Sequence, residues 1–480
     1  MEDASVKKNF LYNAVFQVVV LMFPLITTPY VSRVLGSENI GKYSYASAMV
    51  TYFTLIAALG TKTYGQRIVA YHRDDKQEMS RVFWNTFIFG CISSFVSLCG
   101  YIIYVMYFEG PNPINIVISI SILNVAFDIN WFLQGIENFK NVVIRNLIVR
   151  LVCLAGIFVF VRSEGDTWKY VLIVMVAQAM GNLSIWRLIP KYISFVKGIN
   201  PFEGLKDIIT FFLPTIAVQV YTILDKSMIQ WITGSDHSNG CYEQSERIAR
   251  LALSVVTSVG VVILPRVANL FQKDNMDVAK KYVYKAFRVV WMLAIPMMLG
   301  LIAVSSIFIP LFLGPGFTDA IPMLSVFSGL ILVVSLSYVA GISYLVPTKQ
   351  QNVYTISVTI AAVLNVVVNF ILIPKFGAFG AAISSLLAET SNAVIQIAYC
   401  VIKKQLDAKK IFLPGWKYLI AGSIMMCVVL FMKRIFCEGI LALFVLVAVG
   451  SIIYVGILLL LKDSLFYDTI KKIKRKLVRK

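Results

Sequence analysis

Long apolar runs alternate with short charged or Pro- and Gly-containing segments along this chain. A helix needs about 20 predominantly apolar residues to cross the hydrocarbon core of a bilayer. The pattern predicts fourteen spans, near residues 10–35, 43–66, 82–108, 113–135, 142–161, 168–189, 208–233, 243–265, 282–312, 320–346, 353–374, 379–402, 416–436 and 440–461. Several runs hold prolines, which membrane helices tolerate, so we expect some of the helices to bend.

The composition supports this interpretation of the pattern. Of the 480 residues, 58% are hydrophobic and 14% are charged, against about 25% charged in an ordinary soluble domain. The mean hydropathy is +0.78, and no interval between the runs is long enough for a separate soluble domain. We therefore expect an all-α integral membrane protein.

The net charge of +19 comes from Lys and Arg residues at the ends of the apolar runs. Alternate segments hold most of them, so the positive-inside rule predicts both termini in the cytoplasm, which agrees with an even number of spans. The terminal segment "KKIKRKLVRK" predicts binding to anionic membrane lipid. This distribution gives no reason to expect nucleic acid as a partner.

An internal repeat is visible at the start of the second and eighth spans. "GKYSYA" begins at Gly41 and "GCYEQS" begins at Gly240, and the same offset of 199 residues aligns further charged positions. The aligned pairs are Arg67 with Arg266, Asp75 with Asp274 and Arg81 with Lys280. The offset predicts two six-helix bundles, residues 1–200 and 201–402, related by a pseudo-two-fold axis along the membrane normal. Residues 403–480 would add two helices and a basic cytoplasmic tail.

Charged residues inside spans cost on the order of 3 kcal/mol each at a helix centre and usually face a partner or water. The candidates among them for a functional role are Lys62, Asp128, Arg150, Asp225, Lys226, Arg250 and Glu389. One interpretation is structural pairing, because Glu246 precedes Arg250 by four residues and Glu243 precedes Arg247 by four. Lys62 lies near enough to a span end for its ammonium to reach the interface.

The other interpretation is a hydrated cavity with excess positive charge. Its bases, Arg250 and Lys226 above all, would receive an anionic headgroup such as a phosphate, which arginine binds with two parallel hydrogen bonds. Asp225 and Glu389 would then bind a proton or a cation for coupling. Both interpretations stay open for each residue.

The sequence offers little else that could do chemistry. Its two histidines, His72 and His237, lie in loops predicted on opposite sides, and its seven cysteines are scattered. These residues lack the spacing of a metal site or of a catalytic pair. We therefore expect no catalytic residue, no metal and no cofactor.

The stretch "FDINWFLQGIENFK", residues 127–140, is unusually polar for the end of a span. On a continuous helix, Asp128, Trp131 and Gly135 would lie on one face, and Gln134 and Glu137 would form an adjoining edge. We interpret this as a polar face at the inner mouth of a cavity, where it orients neighbouring helices or forms part of a gate, with Glu137 paired to a loop base.

Segments spread over residues 10 to 400 resemble the Wzx-type flippases of the polysaccharide transporter family. This family belongs to the multidrug/oligosaccharidyl-lipid/polysaccharide exporter superfamily. The segments are "PYVSRVLGSENIGKYSYASA", "LGTKTYGQRIVAYHRDDKQEMS", "FDINWFLQGIENFK", "FLPTIAVQVYTILDKSMIQWITG", "GCYEQSERIARL", "LPRVANL" and "LIPKFGAFGAAISSLLAE". The family motif at the end of the fourth predicted span, in "FDINWFLQGIENFK", matches at Asp128, Trp131, Phe132, Gln134, Gly135 and Glu137, with Asn130 as a variant.

The resemblance implies a transporter, not an enzyme, that works by alternating access between two six-helix bundles. Its substrate would be an undecaprenyl-pyrophosphate-linked oligosaccharide, moved from the cytoplasmic to the outer leaflet of a bacterial plasma membrane for capsule or O-antigen assembly. By motif, Arg33 and Arg250 match the bases that meet the headgroup, whereas Lys62 stands where relatives often have a small or polar residue. Expected further partners are a proton or sodium ion and a polysaccharide polymerase with its chain-length machinery.

Two alternatives remain. The nearer one is another exporter of the superfamily, either a lipid-linked peptidoglycan precursor flippase or a multidrug extruder. The excess of bases among the charges in the spans and the "WFLQGIE" motif favour the oligosaccharide flippase. A membrane polymerase, ligase or glycosyltransferase would need a sizeable acidic or His-bearing loop, whereas the loops here are short.

Overall fold

The computed structural model describes residues 2–435, 439–463 and 465–466. Within these residues, the side chains of 2–21, 139–144, 211, 213–218, 220–222, 259 and 261–262 are not described. The basic tail at residues 471–480, predicted to bind anionic lipid, lies outside the described residues.

Every regular element in the described part of the chain is helical, which confirms the predicted fold class. The helices are α1 (Glu2–Ala58), α2 (Thr61–Tyr71), α3 (Lys76–Tyr104), α4 (Pro113–Ile118), α5 (Ile120–Phe127), α6 (Asn130–Gly135), α7 (Phe139–Phe160), α8 (Thr167–Trp186), α9 (Ile189–Tyr192), α10 (Leu205–Thr233), α11 (Asp236–Gln272), α12 (Met276–Phe312), α13 (Ala320–Ala340), α14 (Gln351–Ile402), α15 (Ala408–Phe412), α16 (Gly415–Lys433) and α17 (Ile440–Leu460). Short 3₁₀ or π turns lie at Val105–Glu109, Glu164–Asp166, Pro315–Phe317 and Gly341–Leu345.

Two helices, α1 and α14, are each long enough for two bilayer crossings, and each overlaps two predicted spans. α1 has a non-helical residue at Gly36 (φ 75°), and α14 has one at Gly377 (φ 57°). Glycine tolerates these positive φ angles because it has no Cβ. Among the described residues, nine helical stretches are long and apolar enough to cross a membrane; the count of fourteen crossings stays a prediction.

The chain forms two compact units, residues 1–240 and 241–480. In the N-terminal unit, α1 packs against α3, α7 and α10, and α2 packs against α6. In the C-terminal unit, α12 packs against α13 and α16, α13 against α14, and α16 against α17. The division at residues 200 and 402 stays a prediction.

Small residues bring α16 close to α12. A Cβ on Gly422 would lie 2.5 Å from a side-chain carbon of Ile295, and a Cβ on Gly415 would lie 3.0 Å from the ring of Trp291. Such small residues let helix backbones approach closely in membranes, where apolar side chains gain little by leaving lipid. The indole N–H of Trp291 also donates to the carbonyl of Ile411, 3.0 Å away, which ties α15 to the same helix.

A buried carboxylate connects three helices of the C-terminal unit. Asp463, which follows α17, is fully buried and accepts hydrogen bonds from Arg288 of α12 at 2.6 Å and from the hydroxyl of Tyr418 of α16 at 3.1 Å. Burial raises the pKa of Asp463, but the hydrogen bonds from Arg288 and from the backbone N–H of Phe466 outweigh it and hold the pKa below the usual carboxyl range. The last described helix is thereby fixed to α12.

Replacing Asp463 should destabilise the protein in a pH-dependent way. Breaking a buried ion pair costs on the order of 3 kcal/mol, so D463N should lower the apparent melting temperature in detergent. Because the folded pKa is depressed, the stabilisation is present above the unfolded value of about 3.9 and is lost as the pH falls through the folded value. The difference from wild type should stay constant between about pH 5 and pH 8 and shrink below about pH 4. Substitution of the 98% exposed Asp74 by Asn serves as the control.

The two glycines of the sequence repeat meet in a reciprocal contact within the N-terminal unit. A Cβ on Gly41 would overlap the carbonyl of Asp236, and a Cβ on Gly240 would overlap the carbonyl of Ser37. Positions 37 and 236 are separated by the same offset of 199 residues as the two glycines. The contact therefore has the symmetry that the repeat predicts, and Ser37 adds a hydrogen bond between its hydroxyl and the imidazole Nδ1 of His237 at 2.7 Å.

Replacing Gly41 by Ala tests this contact. The added methyl group would overlap backbone atoms, which cannot rotate away, so we expect destabilisation by about 1–3 kcal/mol. The matched control is G90A in α3, where the space around the glycine is open over 4 Å. Apparent melting temperatures in detergent should fall for G41A and stay within a degree or rise for G90A; equal values for the two variants would contradict the contact.

Candidate functional site

The polar stretch of span four is not a continuous helix. α5 ends at Phe127, Asp128 (φ −79°, ψ 91°) and Ile129 leave the helical conformation, and α6 begins at Asn130. One carboxylate oxygen of Asp128 accepts from both the backbone N–H and the side-chain amide of Asn130, at 3.2 and 2.5 Å. Such local side-chain hydrogen bonds compete with the helix. The prediction that one helical face carries Asp128, Trp131 and Gly135 was therefore wrong.

Trp131 and Gly135 of the motif pack α6 onto α2. A Cβ on Gly65 of α2 would lie 2.5 Å from the indole of Trp131, and a Cβ on Gly135 would lie 2.8 Å from the side chain of Val69. Trp131 is buried, with its ring centroid 5.6 Å from that of Phe83. These two motif residues therefore position the short helix, and their contacts are with protein.

Asp128 forms an ion pair with Lys62, the second residue of α2. The ammonium nitrogen lies 2.8 Å from the carboxylate, and the side chains are 53% exposed for Lys62 and 14% exposed for Asp128. The carboxylate is thus enclosed while the ammonium reaches it from a more open side. This pair supports the structural interpretation of Lys62, and it keeps a charge inside the span compensated.

Arg145 of α7 extends this network and was missed by sequence reasoning. Its guanidinium donates to the side-chain oxygen of Asn130 at 3.1 Å and to that of Asn146 at 2.6 Å. Polar contacts therefore connect α2, the break between α5 and α6, and α7. The available signal was the position of Arg145 inside the predicted span 142–161.

Glu137 and Gln134 occupy the far end of the motif. Glu137 has a left-handed backbone (φ 59°), and its carboxylate lies 3.4 Å from the guanidinium of Arg73 in the loop before α3. The predicted pairing of Glu137 with a loop base is thus present, although both side chains are at least half exposed. Gln134 is partly buried in α6.

The other charged candidates of the N-terminal unit lie on helices α1, α7 and α10. Arg33 is exposed on α1, and Arg150 of α7 has its guanidinium carbon 5.4 Å from the ring centroid of Phe23. On α10, Asp225 is buried, and the neighbouring Lys226 is partly buried. Within this unit, the structure therefore joins Lys62 to Asp128 directly and places the other candidates on three different helices.

The C-terminal unit contains the arginine pairs predicted from spacing. Arg250 lies 2.6 Å from Glu246, and Arg247 lies 2.9 Å from Glu243, all on α11. The side chain of Arg250 is 52% exposed, whereas that of Glu246 is 9% exposed. One carboxylate thus orients a guanidinium whose side chain is half exposed. Glu389 is partly buried on α14.

A polar cavity of about 510 Å³ in the N-terminal unit was also missed. Its lining combines carboxylates, amides, an ammonium group and aromatic rings, from Asn39, Lys42, Tyr45, Glu109, Asn112, Asn115, Glu164, Trp168, Gln230 and Asp236. Glu109 accepts hydrogen bonds from the hydroxyls of Tyr45 and Tyr104 at 2.6 and 2.7 Å. These residues come from the ends of several spans, so only the fold brings them together. The mixture of polar groups and rings suits a hydroxyl-rich ligand.

Within the part of the chain that the structure describes, no three His, Cys, Asp or Glu side chains are grouped so that they could hold a metal ion.

The fold is similar to those of membrane transporters of known structure. The structure of "Lipid II flippase MurJ, inward closed conformation" matches 96% of this chain and 100% of its own, with a TM-score of 0.75 and 16% identity. An inward-facing multidrug resistance MATE family transporter matches 82% of this chain and 98% of its own, with a TM-score of 0.66 and 13% identity.

The sequence profile described as "Polysaccharide biosynthesis protein" matches residues 6–271. This is more than half of the chain, and the chain therefore belongs to the polysaccharide biosynthesis protein family. A protein of Escherichia coli (strain K12) named as an O-antigen transporter is 23% identical over 80% of this chain and 94% of its own length. A protein of Haloferax volcanii named as the low-salt glycan biosynthesis flippase Agl15 is 24% identical over 68% of this chain and 69% of its own length. The resemblance deduced from the motifs is confirmed.

A double-mutant cycle tests the Lys62–Asp128 pair. K62M leaves an enclosed carboxylate without its cation and D128N removes the charge, so each should lower the apparent melting temperature, while the double variant should recover part of the loss. We expect a coupling energy of about 0.5–3 kcal/mol. The matched control is the cycle R73M with E137Q, whose exposed pair should couple by less than about 1 kcal/mol. Strict additivity for Lys62 and Asp128 would contradict a stabilising pair.

Proposed function

We propose that this chain is a flippase that carries lipid-linked oligosaccharides across a membrane by alternating access. It is a transporter and not an enzyme. One observation carries the proposal: a chain of the polysaccharide biosynthesis protein family has the fold of a lipid flippase over 96% of its length. The names of the relatives in Escherichia coli and Haloferax volcanii, an O-antigen transporter and a glycan biosynthesis flippase, support the same function.

The proposed cargo is an oligosaccharide repeat unit linked to undecaprenyl pyrophosphate, destined for capsule or O-antigen. A polar sugar portion and a pyrophosphate both lose hydration when they cross hydrocarbon, so the carrier must replace water around each. The polar cavity in the N-terminal unit supplies carboxylate and amide partners for hydroxyl groups. Arginine and lysine side chains supply partners for phosphate oxygens.

Among the proposed headgroup ligands, Arg250 has the best supported geometry. Glu246 orients its guanidinium, and half of the side chain is exposed, so the guanidinium is accessible to a phosphate. Arg33, Arg150 and Lys226 remain proposed ligands. Lys62 is a conditional one, because an incoming phosphate must first displace Asp128.

We further propose that acidic side chains couple transport to a proton or sodium ion. The candidates are Asp128, Asp225 and Glu389. Asp225 is buried, Asp128 is nearly so, and Glu389 is partly buried. In such surroundings a neighbouring positive charge strongly stabilises an ionised carboxylate, so binding of a cation would change the free energy of the charged side chain.

The proposed location is the bacterial plasma membrane, with both termini in the cytoplasm, as the distribution of Lys and Arg predicts. There the protein would deliver its cargo to a polysaccharide polymerase and its chain-length machinery. Anionic lipid of the cytoplasmic leaflet is a further proposed partner of the basic tail.

The nearest second function is export of a lipid-linked peptidoglycan precursor, which the similarity of fold to MurJ favours. At 16% identity, that similarity supports the fold alone, whereas the family match is to polysaccharide biosynthesis. Growth of a strain depleted of its peptidoglycan precursor flippase distinguishes the two functions. Rescue of growth by this chain would favour the second.

The proposed function is tested by the sidedness of carrier-linked repeat units in a strain that lacks the protein. Completed units should accumulate on the cytoplasmic face and return to the outer face when the wild-type gene is restored. Units stalled on the outer face would point instead to a polymerase or ligase. The same strain then serves as the background for variants.

Arg250→Ala should slow the appearance of units on the outer face by about tenfold or more, because a charge-assisted hydrogen bond contributes about 1.5–3 kcal/mol. The matched control is Arg247→Ala, which breaks the neighbouring pair with Glu243 on the same helix. Both variants must accumulate to the wild-type protein level. Wild-type flux in R250A, or equal losses in the two variants, would remove Arg250 from the proposed site.

A further inference from the structure

Two adjoining basic cavities lie in the C-terminal unit, outside the residues proposed for transport. Their volumes are about 1040 and 680 Å³, and both are lined by Tyr284, Asp407, Lys409 and Lys410. They are formed by the first turns of α12, the segment after α14 and the short helix α15. We call them together the basic pocket.

The basic pocket carries a strong positive charge. Arg288 lines it but is already paired with Asp463. The remaining ionisable lining consists of two aspartates, Asp277 and Asp407, and six lysines. The lysines are Lys280, Lys281, Lys285, Lys404, Lys409 and Lys410. Six ammonium groups against two carboxylates attract an anion with several oxygens.

The pocket is built by contacts between segments that are distant in sequence. The backbone N–H of Asp407 donates to the hydroxyl of Tyr284 at 2.8 Å, and the ammonium of Lys410 lies 5.5 Å from the centroid of the same ring. The carboxylate of Asp407 caps α15 by accepting from the backbone N–H of Lys409 at 2.9 Å. The lysines of α15 are therefore held beside those of α12 by specific bonds.

An apolar groove continues from the basic pocket. It has a volume of about 350 Å³ and is lined by side chains of α13, α14 and α15, including Leu336, Val394 and Phe412. Val401 and Ala408 line both the groove and the pocket, so the two spaces adjoin. Val394 and Phe412 are exposed. A cluster of ammonium groups thus opens directly onto a hydrocarbon-lined channel.

We propose that the basic pocket and the groove together bind an anionic phospholipid, with the phosphate headgroup among the lysines and one acyl chain in the groove. The charge of the pocket selects anionic over zwitterionic headgroups, and the groove selects a lipid over a free phosphate. Basic pockets between membrane helices are recognised sites for anionic headgroups. The distribution of Lys and Arg predicts that these lysines lie at the cytoplasmic leaflet, where anionic lipids are concentrated.

The bound lipid has a structural role that does not depend on the transported substrate. It bridges α12, α14 and α15, and α15 leads directly into α16. A ligand that binds the folded state and not the unfolded one stabilises the protein by mass action. The lipid should therefore raise the thermal stability of the purified full-length chain.

The experiment measures apparent melting temperature and lipid retention, by native mass spectrometry, for the full chain in detergent. The probes are phosphatidylglycerol, cardiolipin, phosphatidylethanolamine, inorganic phosphate and undecaprenyl pyrophosphate. Phosphatidylglycerol or cardiolipin should raise the melting temperature by several degrees and be retained, whereas phosphatidylethanolamine and inorganic phosphate should do neither. Equal stabilisation by phosphatidylethanolamine or by inorganic phosphate would overturn the proposal.

Two variants localise the site. Changing Lys280, Lys281, Lys409 and Lys410 to Gln should weaken retention of the anionic lipid at least tenfold. The matched control changes four lysines elsewhere, Lys191, Lys197, Lys206 and Lys273, to Gln and should retain the lipid as wild type does. Ala408→Trp, which fills the junction, should also abolish retention of the lipid while leaving the charge unchanged.

The lipid-free melting temperature of each variant shows whether it folds, and A408W provides a second route should the four-lysine variant fail to fold. Wild-type retention in either variant would place the lipid elsewhere and overturn the proposal. Displacement of the phospholipid by equimolar undecaprenyl pyrophosphate would show that the pocket receives the transport substrate, which would also overturn it.

Discussion

A carboxylate enclosed in a lipid-spanning segment persists only beside a group that replaces its hydration. Asp128 has such a group in Lys62, and the surrounding structure is arranged to keep the two together. The break between α5 and α6 turns the carboxylate toward α2, and the packing of Gly65 against Trp131 brings α2 near enough for a 2.8 Å contact. The uncharged motif residue Trp131 therefore helps to position the backbone segments that carry Lys62 and Asp128.

The same dependence on solvation appears in the C-terminal unit. Asp463 is fully buried and is held by Arg288 and Tyr418, while Glu246 is enclosed beside Arg250. In each pair the acid is the more enclosed member and the base is the more open one. Long basic side chains reach from the interface into the protein, whereas short carboxylates cannot reach out, which explains the common arrangement.

Sequence reasoning predicted the fold class, because apolar runs of sufficient length have few alternatives to a helix in a membrane. It also predicted the pairs on α11, since spacing by four residues is a local property. It failed at Asp128, where a hydrogen bond to the next residue but one interrupts the helix, and at Arg145, whose partner comes from another helix. The polar cavity and the basic pocket are built from distant segments, and hydropathy carries no information about which segments meet.

The unequal enclosure of Lys62 and Asp128 has a consequence for any anion that passes. A phosphate that reaches the ammonium of Lys62 must replace the carboxylate of Asp128, which stays nearby because it belongs to the same protein. The net affinity for phosphate is then the difference between the attraction of Lys62 for phosphate and its attraction for the carboxylate of Asp128. The carboxylate re-forms its ion pair with Lys62 when the phosphate dissociates. Exchange of this kind lowers the binding affinity and speeds dissociation, which suits a protein that must release every molecule it binds.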